Sequence, residues 1–194
     1  MGGDLSPARL LLAYRSGIFP WFGDDDPILW WSPPERCVLY PDGLRVSKSM
    51  QQVLRRSQFE FKINTAFEAV ITACATAPRE GQDGTWITEE MKQAYIALHR
   101  MGHAHSAEVW QDGRLAGGLY GVRIGAVFCG ESMFSRVSNA SKAALIQYTR
   151  QLAAEGIKLI DCQNHTAHLE SLGAAMIPRD SYLAQLEMWR DCGK

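Results

Sequence analysis

A chain of 194 residues, 46% hydrophobic and 21% charged, is long enough to bury one core and too apolar to be disordered. A formal net charge of −1 excludes a molecule-wide basic field, so a nucleic-acid partner would have to be met by a local patch. The five cysteines form no close CxxC pair, which argues against a disulfide framework or zinc ribbon and for a reducing, cytoplasmic setting.

The opening MGGDLSPARLLLAY has no basic lead into a long apolar run, and no stretch nears the ~20 apolar residues of a membrane span. Pro7, flanked by Asp4 and Ser6, starts a helix in which Leu10, Leu11 and Tyr14 recur at helical spacing until Gly17 stops it. The next segment, IFPWFGDDDPILWWSPPER, is crossed by Pro20, Pro27, Pro33 and Pro34, which forbid a long regular element. Its dense rings read either as a loop pinned by burial or as a ring-lined binding surface.

From Ser47 to Ser57 a short helix is capped by Ser47, buries Met50, Val53 and Leu54, and turns Lys48, Gln52, Arg55 and Arg56 outward. Between Leu44 and Lys62 five basic residues stand against one acidic residue. That excess is either a solvated helix face or the local patch a nucleic acid requires. Helices follow over Ala66–Ala77 and Thr88–Met101, the second capped by Thr88, with Glu89 and Glu90 in its first turn and Gly102 at its end.

Three strands come next, His105–Trp110, Leu115–Val122 and Ala126–Cys129, joined by turns at Asp112-Gly113 and Gly125. A long helix from Ser138 to Glu155, a buried strand from Lys158 to Asp161 and a terminal helix from Asp180 to Trp189 complete the chain. Helix, helix, antiparallel meander, helix, strand, helix is the order of the GNAT-type acyltransferase fold, an α/β (α+β) architecture. The expected organisation is a small irregular N-terminal domain, residues 1–34, ahead of a GNAT-like domain, residues 35–194. In such a fold the strands flanking the long helix run parallel, and ligands bind beyond their carboxyl ends.

Those ends carry GESMF and DCQ, so Glu131, Asp161 and the amide of Gln163 converge at one rim. A carboxylate there can hold a cation, and an amide can fix an attacking amine. No glycine lies between Gly130 and Gly156, so the glycine-rich turn that cradles a pyrophosphate is missing. This argues against coenzyme A. A basic helix and stacked aromatics point to a nucleic-acid acyl carrier instead.

The strings GGDLSPARLLLAY, GIFPWF, PILWWSP, GTWIT, GHAHSAEVW, GGLYGV, FCGESMFS, NASKAAL, LIDCQ and SLGA-x-x-IPR, spread over residues 2–179, resemble the signature blocks of the leucyl/phenylalanyl-tRNA–protein transferases. The resemblance implies transfer of leucine or phenylalanine, less readily methionine, from aminoacyl-tRNA to proteins beginning with lysine or arginine, which marks them for bacterial N-degron proteolysis. It implies neither metal nor coenzyme. By the same resemblance Trp21 and Trp86 would hold the terminal adenosine, and Leu119, Phe128, Met133, Tyr148 and Ile160 would line the aminoacyl pocket. Glu131 would receive the basic acceptor end, Asp161 and Gln163 would orient or deprotonate its amine, and Lys48, Arg55 and Arg56 would touch the acceptor stem. Departures from the family pattern are Gln52, often arginine, Leu119, often methionine, and Tyr148, often phenylalanine.

Other features carry less. His103 and His105 lack an acidic or thiol partner close in sequence for zinc, His165 and His168 read as capping or surface groups ahead of a place on the cleft rim, and Cys129 and Cys162, which flank the proposed site, as structural thiols. Two rival readings share the motifs: a Fem-type aminoacyl-tRNA-dependent enzyme, usually with two such domains, and a non-catalytic tRNA-binding module.

Overall fold

The computed structural model describes residues 1–23, 25–77 and 86–192; Gly84 and Thr85 of the GTWIT block lie outside the described residues. Helix α1 (Pro7–Arg15) begins on its proline, and Asp4 Oδ1 accepts the Ser6 N–H at 2.9 Å just ahead of it. The proline-broken stretch is more regular than expected. Phe19–Pro20 (β1) pairs antiparallel with Trp30–Trp31 (β2), and Glu35–Leu39 (β3), begun directly after Pro34, is a buried strand.

Helix α2 (Lys48–Arg55) is capped by Ser47, whose Oγ accepts the Met50 N–H at 3.3 Å. It leads into Glu60–Ile63 (β4), a further strand absent from the sequence reading. Helices α3 (Phe67–Thr76) and α4 (Glu89–Arg100) follow, the latter capped by Thr88 Oγ1 on the Met91 N–H at 3.2 Å. Strands β5 (Ala104–Gln111), β6 (Arg114–Ile124) and β7 (Val127–Ser135) form the meander, with β7 continuing well past Cys129. Then come α5 (Ala140–Ala154), β8 (Leu159–Gln163), a short α6 (Ala167–Ser171), an edge strand β9 (Ala175–Pro178) and α7 (Arg179–Trp189).

The main sheet has the order β4-β5-β6-β7-β8-β3-β9. Strands β7 and β8, joined through α5, are parallel, and the other neighbours are antiparallel. This is the GNAT-type arrangement. Helices α1, α3, α4 and α7 cover one face of the sheet, and α2, α5 and α6 the other. Gly117 permits the closeness of the second layer: a Cβ there would fall 2.7 Å from the Ala140 Cβ of α5.

Glu108 of β5 is fully buried beneath the start of α3. It accepts the Ser106 hydroxyl at 2.6 Å, the Thr65 hydroxyl at 2.7 Å and the Thr65 and Ala66 N–H groups at 3.3 and 3.4 Å. A carboxylate suits this place because it offers only acceptors to donors gathered at a helix N-terminus. Glu108→Gln turns an NH2 group towards some of those donors and is expected to cost about 1–3 kcal/mol. An unchanged urea midpoint would show that the cluster adds nothing to stability.

Candidate active site

Strands β7 and β8 pair from Val127↔Leu159 to Cys129↔Asp161 and then part, β7 staying with β6 and β8 with β3. Each carries one extra residue where they separate. Opposite the Tyr120–Gly121 step the extra residue of β7 is Glu131, and opposite the Cys37–Val38 step that of β8 is Cys162. Such bulges bend a strand and re-aim a side chain. At Gly121 a Cβ would sit 2.2 Å from the Cys129 carbonyl oxygen, so the bulge requires glycine there.

A cavity of about 330 Å³ occupies the gap. Towards α5 its wall is apolar, built by Leu119, Phe128, Met133, Leu145 and Ile160. Phe19, Trp21 and Trp86 supply aromatic rings elsewhere on its wall, and the polar side chains of Glu131 and Gln163 also line it. Eight of the residues singled out from sequence are thus brought together: Trp21, Trp86, Leu119, Phe128, Glu131, Met133, Ile160 and Gln163.

Tyr148 and Asp161 are not on that wall. Tyr148 is buried behind Phe128, with ring centroids 5.1 Å apart and planes at 85°. Asp161 follows from strand alternation: Ile160 faces the α5 layer, so its neighbour faces the opposite layer, beneath α7. There it is 1% exposed and its oxygens are already engaged. Arg36 Nε donates to Oδ1 at 2.9 Å and to Oδ2 at 3.1 Å, the Tyr182 hydroxyl donates to Oδ2 at 2.8 Å, and the Gln163 N–H donates to Oδ1 at 2.9 Å. Arg36, 2% exposed, also donates to the Gly17 carbonyl at 3.1 Å. Burial opposes its charge, but Asp161 and Tyr182 outweigh this and hold the guanidinium pKa above its ordinary value.

Glu131 sits at the head of a second network. The Tyr95 hydroxyl donates to Oε2 at 2.9 Å, Gln163 Nε2 donates to Oε1 at 2.7 Å, and the Tyr14 hydroxyl is hydrogen-bonded to that of Tyr95. Burial pushes the Glu131 carboxyl up to about 7, against hydrogen bonds from the tyrosines and Gln163 that favour its charged form. Burial also raises the pKa of both tyrosines, so they remain protonated donors.

Sequence reading did not single out Arg36, Tyr14, Tyr95 or Tyr182. The available signal was chemical: a tyrosine on a buried helical stripe, or an arginine opening an apolar strand, must find a polar partner. His168, for which the sequence leaves the cleft rim open beside a capping or surface role, and Cys162, a thiol flanking the expected site, both line the cavity. Lys48 and Arg55 of α2, and Arg56 directly after it, are exposed. The pairings Glu60↔Trp110 and Gly117↔Ser135 put the far end of the α2–β4 connection at the same end of the sheet as the cavity.

Fold and cleft together define an acyltransferase of the GNAT architecture. Residues 38–187 match the family model described as leucyl/phenylalanyl-tRNA protein transferase, and residues 3–34 match the model of that enzyme's N-terminal domain. The chain belongs to the leucyl/phenylalanyl-tRNA–protein transferase family, and is an aminoacyltransferase. It is 58% identical over 186 residues to the transferase of that name from Chromobacterium violaceum, covering 96% of this chain and 79% of the relative. It is 56% identical over 191 residues to that of Shewanella pealeana, covering 98% and 80%. Among solved structures, a functionally unknown conserved protein from Staphylococcus epidermidis shares the fold with a TM-score of 0.50 and 6% identity, over 74% of this chain and 57% of that one. No helix among the described residues is long and apolar enough to cross a membrane.

Proposed function

We propose that the chain moves leucine or phenylalanine, and less readily methionine, from aminoacyl-tRNA to the α-amino group of proteins beginning with lysine or arginine. In the cytoplasm this would mark them for degradation through an N-degron. The observation that carries the reading is one cavity with an apolar chamber, aromatic rings and a carboxylate on its walls. The names of the relatives support the acyl carrier and the two amino acids.

An ester to tRNA is already activated, so its aminolysis needs positioning and a proton acceptor rather than a metal or coenzyme. The acceptor nitrogen bonds to the carbonyl carbon, the ester C–O bond breaks, and the proton lost by the amine ends on the ribose oxygen. Leu119, Phe128, Met133 and Ile160 take the aminoacyl side chain, with Tyr148 supporting Phe128 from behind. Trp21 and Trp86 hold the terminal adenosine, stacking being the mode that suits a π-face. Residues 1–34 act as a small domain that supplies Trp21, and residues 35–194 as the transferase body.

Glu131 attracts the cationic acceptor and, with a pKa near neutrality, takes its proton; Gln163 orients the amine. Asp161 serves from behind, because its oxygens are already bonded to Arg36, Tyr182 and the Gln163 backbone. Lys48, Arg55 and Arg56 meet phosphates of the acceptor stem without reading sequence, so tRNA affinity falls steeply with salt.

The test uses purified chain, tRNA charged with radiolabelled leucine, and two peptides differing only in N-terminal Arg or Ala. Label is expected on the Arg peptide alone. Label on both overturns the acceptor rule, and label on neither, with tRNA still bound, favours a non-catalytic tRNA-binding module.

A further inference from the structure

We infer that Arg36 is a positioning residue for the transfer step, holding through Asp161 the backbone turn that aims Gln163 at Glu131. The inference rests on the proposed function and adds a residue to it. Gln163 ends β8 with φ +61°, in the left-handed region, and the Asn164 N–H reaches back to the Cys162 carbonyl at 2.7 Å. That is a γ-turn centred on Gln163, of the rare and strained form with positive φ at its apex. A non-glycine residue keeps such a conformation only where its surroundings over-determine it.

The support is visible. Asp161 Oδ1 accepts the Gln163 N–H at 2.9 Å and the Arg36 Nε–H at the same distance, so the oxygen that holds the turn is itself held by the guanidinium. Arg36 is fixed in turn by the Gly17 carbonyl and by the rings of Phe19 and Tyr182, 4.7 and 4.5 Å from its central carbon. Released from Asp161, Gln163 would relax towards extended backbone and carry its amide away from Glu131. The rigid guanidinium places Nε on Asp161 and a terminal nitrogen on the Gly17 carbonyl at once, a fixed pair of directions that a lysine ammonium does not reproduce.

The test is Arg36→Lys, which keeps a charge opposite Asp161, assayed with leucyl-tRNA and the Arg peptide. Folding is checked by circular dichroism at the assay temperature. Misplacement on the ångström scale predicts a kcat lowered roughly tenfold to a hundredfold, with KM for charged tRNA nearly unchanged. In a Gln163→Ala background the same substitution is expected to lower kcat little further, since its intermediary is gone. A folded variant with unchanged kcat, or with KM raised instead, overturns the inference, as does an equal loss in both backgrounds. Where Gln163→Ala transfers too slowly to measure, the split between kcat and KM decides.

If Arg36→Lys is unfolded at the assay temperature, Tyr182→Phe replaces it. It removes one donor from Asp161 and keeps the ring, and a smaller fall in kcat at constant KM is expected. An unchanged kcat there again overturns the inference. A wild-type chain that transfers nothing defeats the proposed function instead, which keeps the two failures apart.

Discussion

Asp161→Ala is expected to abolish transfer, leave tRNA binding intact, and lower stability by about 3–5 kcal/mol. The stability cost follows from what remains behind. Arg36, 2% exposed, would keep its buried charge with no carboxylate opposite, and the Tyr182 hydroxyl and Gln163 N–H would each lose an acceptor. The loss of transfer follows from the turn at Gln163, which no longer has an oxygen to hold it. Binding survives because Trp21, Lys48, Arg55 and Arg56 make no contact with Asp161 in any of these hydrogen bonds. Asp161→Asn keeps an acceptor oxygen and the shape, and should lie between wild type and alanine in both respects. Urea unfolding reads the stability, and filter retention of labelled tRNA reads the binding. An alanine variant that binds tRNA and transfers at the wild-type rate would remove Asp161 from the mechanism.

The misplacement of Asp161 shows where sequence reading reached its limit. The strand KLIDCQ and its position after the long helix were readable from apolar run and turn signals, and they brought Gln163 to the cleft. Alternation along the same strand also contained the answer for Asp161, since Ile160 and Asp161 cannot face one way. What alternation could not supply was the extra residue at Cys162 or the positive φ at Gln163 that returns the amide to the cavity. Glu131 is similar. Its strand was expected to end at Cys129 because GESMF breaks the apolar run, yet a bulge lets β7 continue and aims that carboxylate inward. Helices were easier, since Ser47 and Thr88 announce their starts and a 3.6-residue period survives tertiary context. Strands β3, β4 and β9 were not, being four or five residues long with prolines at their borders or one exposed side. Tyr14 and Tyr95 come from helices far apart in sequence, and only the packed core brings their hydroxyls together.

Glu131→Gln should lower kcat/KM about 10²- to 10⁴-fold, the usual worth of a positioned proton acceptor, and it should also change how stability depends on pH. Burial raises this carboxyl from 4.5 to about 7, so between those values the folded chain binds a proton that the unfolded chain has released. The raised pKa therefore contributes stability that is complete below about 4.5 and is lost as the pH rises through 7. The amount is at most about 3–4 kcal/mol. Glutamine keeps the size of the side chain and can still accept the Tyr95 hydroxyl on its carbonyl oxygen, but it does not titrate. The variant's unfolding free energy should accordingly lose that slope between pH 4.5 and 7. Transfer by the wild type should rise with pH through about 7 as the carboxylate forms. A second rise from the acceptor's own amine, near 8, belongs to the peptide and should persist in both proteins, so the difference between the two profiles isolates Glu131. If the variant's stability still falls over that span, another group titrates there. If the slope vanishes while transfer at pH 8 stays at the wild-type rate, Glu131 tunes the fold but does not take the proton, and the acceptor amine must lose it to solvent.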